Sequence, residues 1–422
     1  MNAREYLASL EFHGVKLGLD NIRHLLAEAG DPHTFFPSVH VAGTNGKGSV
    51  VAMLDAMCRA AGMRTGRYTS PHLIDVNERF LLDARPVNDA DLDAALEHFR
   101  RIAETMTPSP TYFEVVTAVA FRLFQQHGIE IALVEVGLGG RFDATNVIAP
   151  AVTAITNVDL EHTQYLGDTL AKIAFEKAGI LKEGVPAVVA ETQPEPLEVI
   201  LERAEAVQCP VRLLHRDFSF ELQGPAWNQA FSYRSDALSL KNVPLGLSGD
   251  YQGPNAAVAV ALAGLLGGRF PEIDEKAIVR GLETAAWPCR LERVLYNPPV
   301  IIDVAHNPAG VRQLVRQVPR CVAVLAVSSD KNAAEMATHL AGIADPLILT
   351  QFTAHRALPL DDLCAAAGNL PYRRAERLDE AIAEGMQRAS TERPLLITGS
   401  IYTAGEARTL LMRDYGAQPV RF

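Results

Sequence analysis

The chain has 422 residues, 48% hydrophobic and 21% charged, an ordinary globular composition that suits two or three domains rather than one. Its formal net charge of -11 argues against a nucleic-acid binder, so any anionic ligand must meet a local basic pocket. Five scattered cysteines without C-x-x-C or metal-ligand spacing fit a reducing compartment. The N-terminus lacks the apolar region of a secretory signal, and the longest uncharged apolar run, Ala256 to Gly268, is too short to span a bilayer. These features lead us to expect a cytoplasmic enzyme.

Residues 1–37 read as a helical lead-in, with Tyr6, Leu7 and Leu10, then Ile22, Leu25 and Leu26 at helical spacing. A short apolar strand (Val39, Val41, Ala42) then enters Gly43-Thr44-Asn45-Gly46-Lys47-Gly48-Ser49, and Val50 to Met57 has helical composition. Glycines let backbone N–H groups turn around a phosphate, the new helix points its positive end at it, and Lys47 adds a full charge. The natural ligand is a nucleoside triphosphate. The standard Walker pattern is not met, because Val41 and Gly48 stand where a glycine and a hydroxyl are expected. A glycine turn that merely starts a helix is the plainer alternative; the flanking strand and helix weigh against it.

Thr65 to Thr69 is the next strand and ends in Ser70-Pro71-His72. A strand, helix, strand order implies parallel pairing, with ligands at the carboxyl ends. Ser70 could reach a metal on the phosphates there, or serve only as a turn residue before Pro71. Asp89 to Glu104 reads as an amphipathic helix, and Thr111 caps a buried one beginning Tyr112-Phe113-Glu114. The strand within Ile129 to Val136 ends in Glu135, an acid that is costly to bury unless a metal or a cationic side chain pairs with it. The strand in Ala151 to Asn157 runs into Asp159-Leu160-Glu161-His162, where His162 is a candidate ligand or a structural hydrogen-bonder. In the helix Thr169 to Ala178, Lys172 has the solvated setting usual for lysine, whereas Lys177 sits among apolar neighbours.

Beyond the strand Val185 to Ala190, the runs Val211 to Leu214, Phe218 to Leu222, Phe231 to Tyr233 and Leu238 to Leu240 suggest a small antiparallel appendage. Gly249 to Asn255 leads into an Ala-rich helix, and Glu275 to Thr284 forms another. Pro288 breaks the pattern, so we expect domains at 1–287 and 290–422. In the second, strands at Val300 to Val304, Cys321 to Val327 and Pro394 to Thr398 alternate with helices. The expected fold class is α/β: a P-loop parallel-sheet ATPase domain with the appendage, followed by a smaller Rossmann-like domain.

Several motifs occur together: the Gly43 to Ser49 loop, Thr69 to Leu73, Glu135 to Asn146 (E-V-G-L-G-G-R-F-D-A-T-N), Asp159 to Thr163, Glu176 to Ile180 and Asp303 to Pro308. In this order, over nearly the whole chain, they resemble the bacterial folylpolyglutamate synthase/dihydrofolate synthase family, within the ATP-dependent Mur ligases. The resemblance implies an amide ligase that phosphorylates a carboxylate with ATP and lets the amine of L-glutamate attack the acyl phosphate. The acceptors would be dihydropteroate and the glutamate tail of reduced folates, or folates alone in a monofunctional synthase. It further implies ATP contacts at Thr44, Asn45, Gly46, Lys47, Gly48, Ser49, Asn255, Arg290, Asp303 and His306. Mg²⁺ would be held by Ser70, Glu135 and His162, with a second ion through carbamylated Lys177; Lys47, Lys177 and His162 would carry the catalysis. Pterin-site segments would be Leu17, Gly18 and Leu19, Thr111, Tyr112, Phe113 and Glu114, and Phe142, Asp143 and Ala144.

The chain departs from the family pattern at Lys16, Cys289, Asp250-Tyr251 and Asn332. A cell-wall Mur ligase is disfavoured because 42 residues before Gly43 are too few for a UDP-sugar domain. A regulatory GTPase is disfavoured by the absence of N-K-x-D, while a metabolite kinase remains a rival. No membrane or nucleic-acid partner and a monomer are expected.

Overall fold

The computed structural model describes residues 2–10, 18–418, 420 and 422, so Lys16 and the expected pterin-site residue Leu17 lie outside it. The N-terminal lobe is built on eight strands: β1 (Ser38–Ala42), β2 (Thr65–Tyr68), β3 (Phe80–Leu82), β4 (Arg85–Pro86), β5 (Ile131–Glu135), β6 (Val152–Ile155), β7 (Ala187–Val189) and β8 (Val211–Leu213). Their spatial order is β4-β3-β2-β5-β1-β6-β7-β8, parallel from β2 to β8, with an antiparallel edge made by β3 and β4. Central strands are apolar on both faces because helices cover both. On β5, Ile131 and Leu133 pack with the helices Lys47–Ala60, Gln252–Leu266 and Glu275–Thr284. Ala132 and Val134 point the other way, onto the helices Ala3–Leu10, Asp20–Glu28, Asp89–Ala103 and Tyr112–Gln126.

The appendage is a three-stranded antiparallel sheet of β9 (Phe218–Gln223), β10 (Ala230–Ser235) and β11 (Ser239–Pro244). Val211 to Leu214, expected to belong to it, instead supplies β8, which pairs in parallel with β7. The helix Pro194–Ala206 crosses over between those strands, and such a crossover returns the chain to the same sheet.

The C-terminal lobe holds β12 (Glu292–Tyr296), β13 (Pro299–Ile302), β14 (Cys321–Leu325), β15 (Ala344–Leu349), β16 (Tyr372–Arg374) and β17 (Leu395–Thr398). They lie in the order β12-β13-β17-β14-β15-β16, and only β12 is antiparallel to its neighbour. Cys321, Ala323 and Leu325 face one core, while Val322 and Val324 face another.

The parallel register decides which residues meet. Val41 stands opposite Glu135, Ala42 opposite Ile155, and Tyr68 opposite Val134. The glycine loop, Glu135, Ser70 and the segment after β6 therefore emerge side by side at one edge, where open α/β sheets gather ligands. Among the described residues, no helix is long and apolar enough to cross a membrane.

Candidate active site

The glycine loop has no room for side chains at two positions. Gly43 (φ +148°) and Gly46 (φ +85°) adopt the left-handed region, and a Cβ would come 1.8 Å from Thr156 Oγ1 at Gly43 and 2.2 Å from Asn255 Oδ1 at Gly46. The end of β6 clamps the loop. Thr156 Oγ1 donates to the Asn45 carbonyl at 2.7 Å, Asn157 Nδ2 donates to it at 3.0 Å, and the Asn45 N–H donates to Asn157 Oδ1 at 2.9 Å. The Asp159 N–H donates to Thr44 Oγ1 at 3.0 Å. Lys47 opens the loop helix and folds back, its Nζ donating to the carbonyls of Gly43 (2.8 Å) and Thr44 (3.0 Å). Gln252 and Asn255, hydrogen-bonded to each other at 2.9 Å, reach the loop from the Gln252–Leu266 helix, with Gln252 Nε2 donating to Ser49 Oγ at 3.4 Å. Thr44 to Ser49 and Asn255 thus form one structure.

Glu135 ends β5 and is buried, and the Ser70 N–H donates to its Oε2 at 3.2 Å. Burial raises its pKa above the ordinary glutamate value, opposed by Lys47, the Ser70 N–H, Arg290 and Arg67. The carboxylate keeps most of its acceptor capacity beside three cationic groups. On the other side of the loop, Lys177 is buried and donates from Nζ to Glu161 Oε1 at 2.7 Å. Burial lowers the amine to about 8, against the pull of Glu161. Burial works to raise Glu161, but Lys47 and then Lys177 outweigh it and hold the carboxyl down to about 2. His162 is strained (φ +46°) and makes no side-chain hydrogen bond among the described residues. Desolvation lowers its basicity, opposed by Glu161 and reinforced by Lys331, Lys47 and Lys177.

The C-terminal lobe brings Arg290, Asp303 and His306 to the same place. Asp303 is buried at the end of β13 and accepts from the N–H groups of Leu291 and Ala305, each at 2.8 Å. Burial raises its pKa, with the Arg290 charge the main opposing influence. His306 Nδ1 lies 3.0 Å from the Val304 carbonyl; burial first, against that hydrogen bond and helped by Arg290 and Lys331, holds it at about 4, so it is neutral at physiological pH. A cleft between the lobes is lined by Ser70, Glu135, Trp287, Arg290, Val304 and Phe422. Two departures have local reasons. Cys289 adopts φ +57°, a left-handed conformation that favours glycine over a side-chain-bearing residue, and Asn332 caps the Ala333–Ala341 helix by accepting from the Glu335 N–H at 3.2 Å.

Of the expected pterin segments, Thr111 to Glu114 packs against Gly137, just past the end of β5, and is met by Asn21 from the helix that follows Gly18-Leu19. Thr111 and Glu114 form a reciprocal capping box, and the Glu114 carboxylate also accepts from Asn21 Nδ2 at 3.4 Å. Phe113 lies against Gly137, where a Cβ would stand 2.3 Å from the ring, and its centroid is 6.1 Å from that of Tyr68. Tyr112 lies under Arg79 at 5.3 Å, and Phe142 under Arg141 at 4.2 Å. Asp143 is buried and pins its own loop, accepting from the N–H groups of Leu138 (2.8 Å) and Thr145 (3.0 Å) and from the Thr145 hydroxyl. Ala144 is buried beside it, whereas Gly18 and Leu19 precede the Asp20–Glu28 helix.

Sequence reasoning did not single out Glu161, the charge partner of Lys177, nor Thr156, Asn157, Trp287 and Lys331. Glu161 carried a signal: an acid next to a candidate ligand at a strand end.

The donor set can be tested against the Mg²⁺ that a triphosphate brings. Among the described residues, no three His, Cys, Asp or Glu side chains converge into a metal cage. Mg²⁺ does not need one, since it is usually held by one or two carboxylates together with phosphate oxygens and water. The Glu135 carboxylate, buried with a single N–H partner and an adjacent Ser70, fits that demand.

Residues 41–263 match the Mur ligase middle domain, and residues 289–401 match the Mur ligase glutamate ligase domain. The chain is 36% identical to Bacillus subtilis dihydrofolate synthase/folylpolyglutamate synthase, over 97% of this chain and 98% of that protein. Its fold superposes on Mycobacterium tuberculosis folylpolyglutamate synthase complexed with ADP and AMPPCP at a TM-score of 0.89, with 33% identity and 99% of each chain covered. The match to E. coli FolC in complex with DHPP and ADP also has a TM-score of 0.89, with 29% identity, covering 98% of this chain and 99% of that one. The chain is thus built as a two-domain α/β Mur ligase. It belongs to the dihydrofolate synthase/folylpolyglutamate synthase family.

Proposed function

We propose that this protein is an ATP-dependent carboxylate–amine ligase that adds L-glutamate to dihydropteroate and to the glutamate tail of reduced folates. The observation that carries the reading is the convergence of the Lys47, Arg290 and Arg67 charges on the buried Glu135, which lines one cleft together with Arg290 from the other lobe. Lys47 exchanges its two loop carbonyls for the phosphates of ATP, with Thr44 to Ser49 supplying backbone N–H groups. A carboxylate is a poor electrophile; phosphorylation turns it into an acyl phosphate that the glutamate amine attacks, releasing phosphate. Lys47 and Arg290 stabilise charge as the phosphoryl group moves. Asp303, an acceptor only, takes the donor groups of the nucleotide, and the neutral His306, in the same motif, adds an uncharged polar contact. Ser70, Glu135 and His162 would hold the Mg²⁺ that accompanies ATP, which would supply charge neutralisation at the phosphates.

As a carbamate, Lys177 would hold a second ion: burial lowers its amine to about 8 against the pull of Glu161, so a fraction is neutral and able to attack CO₂ at physiological pH. Leu17, Gly18, Leu19, Thr111 to Glu114 and Phe142 to Ala144 form the pterin side, with Phe113 as stacking partner. We take 1–287 and 290–422 as the domain limits, and the protein as a cytoplasmic monomer with small-molecule substrates only. Phosphate release from Mg-ATP tests the reading. It should require both an acceptor carboxylate and L-glutamate; release without the amine would point to a kinase or hydrolase.

A further inference from the structure

The Asp250-Tyr251 pair, one of the sequence departures, sits where the two lobes join. Tyr251 immediately precedes the Gln252–Leu266 helix, whose Gln252 and Asn255 touch the glycine loop. Its hydroxyl donates across the joint to Asp303 Oδ2 at 3.5 Å. Asp250 reinforces the same joint: its N–H donates to Gln317 Oε1 at 3.0 Å, and its Oδ2 accepts from Gln317 Nε2 at 3.2 Å. Gln229, which is buried, holds Asp250 from the small sheet, donating from Nε2 to Oδ1 at 2.9 Å.

The acceptor sites of Asp303 define what Tyr251 does. A carboxylate offers about four lone-pair positions. Oδ1 accepts from the Ala305 N–H, while Oδ2 accepts from both the Leu291 N–H and the Tyr251 hydroxyl. With Oδ2 filled, the open acceptor position lies on Oδ1. We infer that Tyr251 is a positioning residue for the nucleotide: its hydroxyl fixes which oxygen of Asp303 is presented, and it couples that oxygen to the helix that supports the glycine loop. The inference rests on the proposed role of Asp303 as an ATP contact. Tyr251 itself acts only through Asp303 and leaves the chemical step alone.

The test uses full-length Tyr251→Phe, Asp303→Asn and the double variant, with ADP affinity measured by calorimetry beside KM for ATP, kcat and the melting temperature. At 3.5 Å this hydrogen bond is long for a hydroxyl donor, so its removal in Tyr251→Phe should weaken binding by about threefold. ADP affinity and KM for ATP should move together by that factor, with kcat within about twofold of the parent. In the Asp303→Asn background, removing the hydroxyl should change ADP affinity by less than about twofold, because an amide has a single oxygen and leaves no choice for the hydroxyl to fix. Unchanged ADP affinity in Tyr251→Phe, or effects that simply multiply in the double variant, would overturn the inference while leaving Asp303 as a nucleotide contact. Parental ADP affinity in Asp303→Asn would overturn both. A lowered melting temperature with unchanged ADP affinity would reduce Tyr251 to a packing role.

Discussion

Gly48 lies directly against the indole of Trp287, so that a Cβ on it would stand 2.8 Å from Cζ2 of the ring. A standard phosphate loop carries a hydroxyl at this position, and here the space is taken by a rigid aromatic side chain. Trp287 is itself held under the Arg67 guanidinium at 5.0 Å. Restoring the hydroxyl with Gly48→Ser should therefore destabilise the protein by about 1–3 kcal/mol, the usual cost of overpacking, and weaken ADP binding as the loop shifts. Thermal unfolding and calorimetry check this; a variant that melts and binds like the parent would mean that Trp287 yields freely.

Glu135 links stability to activity with opposite signs. Burial raises its pKa, so ionisation costs folding free energy. That cost is absent below the ordinary glutamate value, grows as pH rises towards the folded value, and is fully present above it. Glu135→Gln removes the cost and keeps an acceptor for the Ser70 N–H. Near neutral pH, the nucleotide-free variant should melt at or above the parent, while turnover falls about 10²–10³-fold for loss of charge at the phosphates. A variant that is both less stable and fully active would contradict this assignment.

The phosphate loop was legible because its chemistry is local: a strand, glycines in left-handed conformations, a lysine and a helix follow one another within a dozen residues. That Ser70 and Glu135 meet was legible because both close apolar runs and parallel strands align such ends, whereas His162 lies beyond the end of β6, at the start of the helix Thr163–Leu166, where that rule does not reach. Partners distant in sequence were not legible. Glu161 meets Lys177 only because the segment after β6 folds onto the Leu170–Ala178 helix, where Val158 packs in one core with Ile173, Ala174 and Ala178. Val211 to Leu214 reads as part of the small sheet, yet its strand pairs with β7, because a three-residue edge strand carries no alternation from which to infer its neighbour. The strand β16, Tyr372–Arg374, is exposed throughout and so lacks the apolar pattern altogether.

The amine of Lys177 gives a third prediction. Its folded pKa, about 8, lies below the ordinary lysine value. The unfolded chain therefore binds the proton more tightly between the two, and stability gained from this group rises with pH across that window. A neutral amine is also what CO₂ requires. Protein equilibrated with ¹³C-bicarbonate should show a carbamate carbonyl resonance that strengthens as pH rises through about 8 and is absent from Lys177→Ala. That variant should lose nearly all turnover and regain part of it with acetate. A parent without the resonance, together with a variant that acetate does not revive, would reduce Lys177 to the structural partner of Glu161.

The cysteines separate by burial. Cys58, Cys209, Cys289 and Cys321 are buried, and desolvation pushes each thiol up, to about 11 for Cys209 and about 12 for Cys321. Cys364 alone among the five is partly exposed. A thiol reagent should label Cys364 rapidly in the native protein and the other four only after denaturation. Rapid native labelling at Cys289 would show that the joint between the lobes opens.

The central claim is the ligation itself, and the mass of the product tests it most directly. Purified protein should be incubated with Mg-ATP and L-glutamate, with either 7,8-dihydropteroate or a reduced folate monoglutamate as acceptor. The account predicts a product one glutamate heavier from each acceptor, with one ADP and one phosphate released per bond formed. ATP turnover that leaves both acceptors unchanged in mass would contradict it.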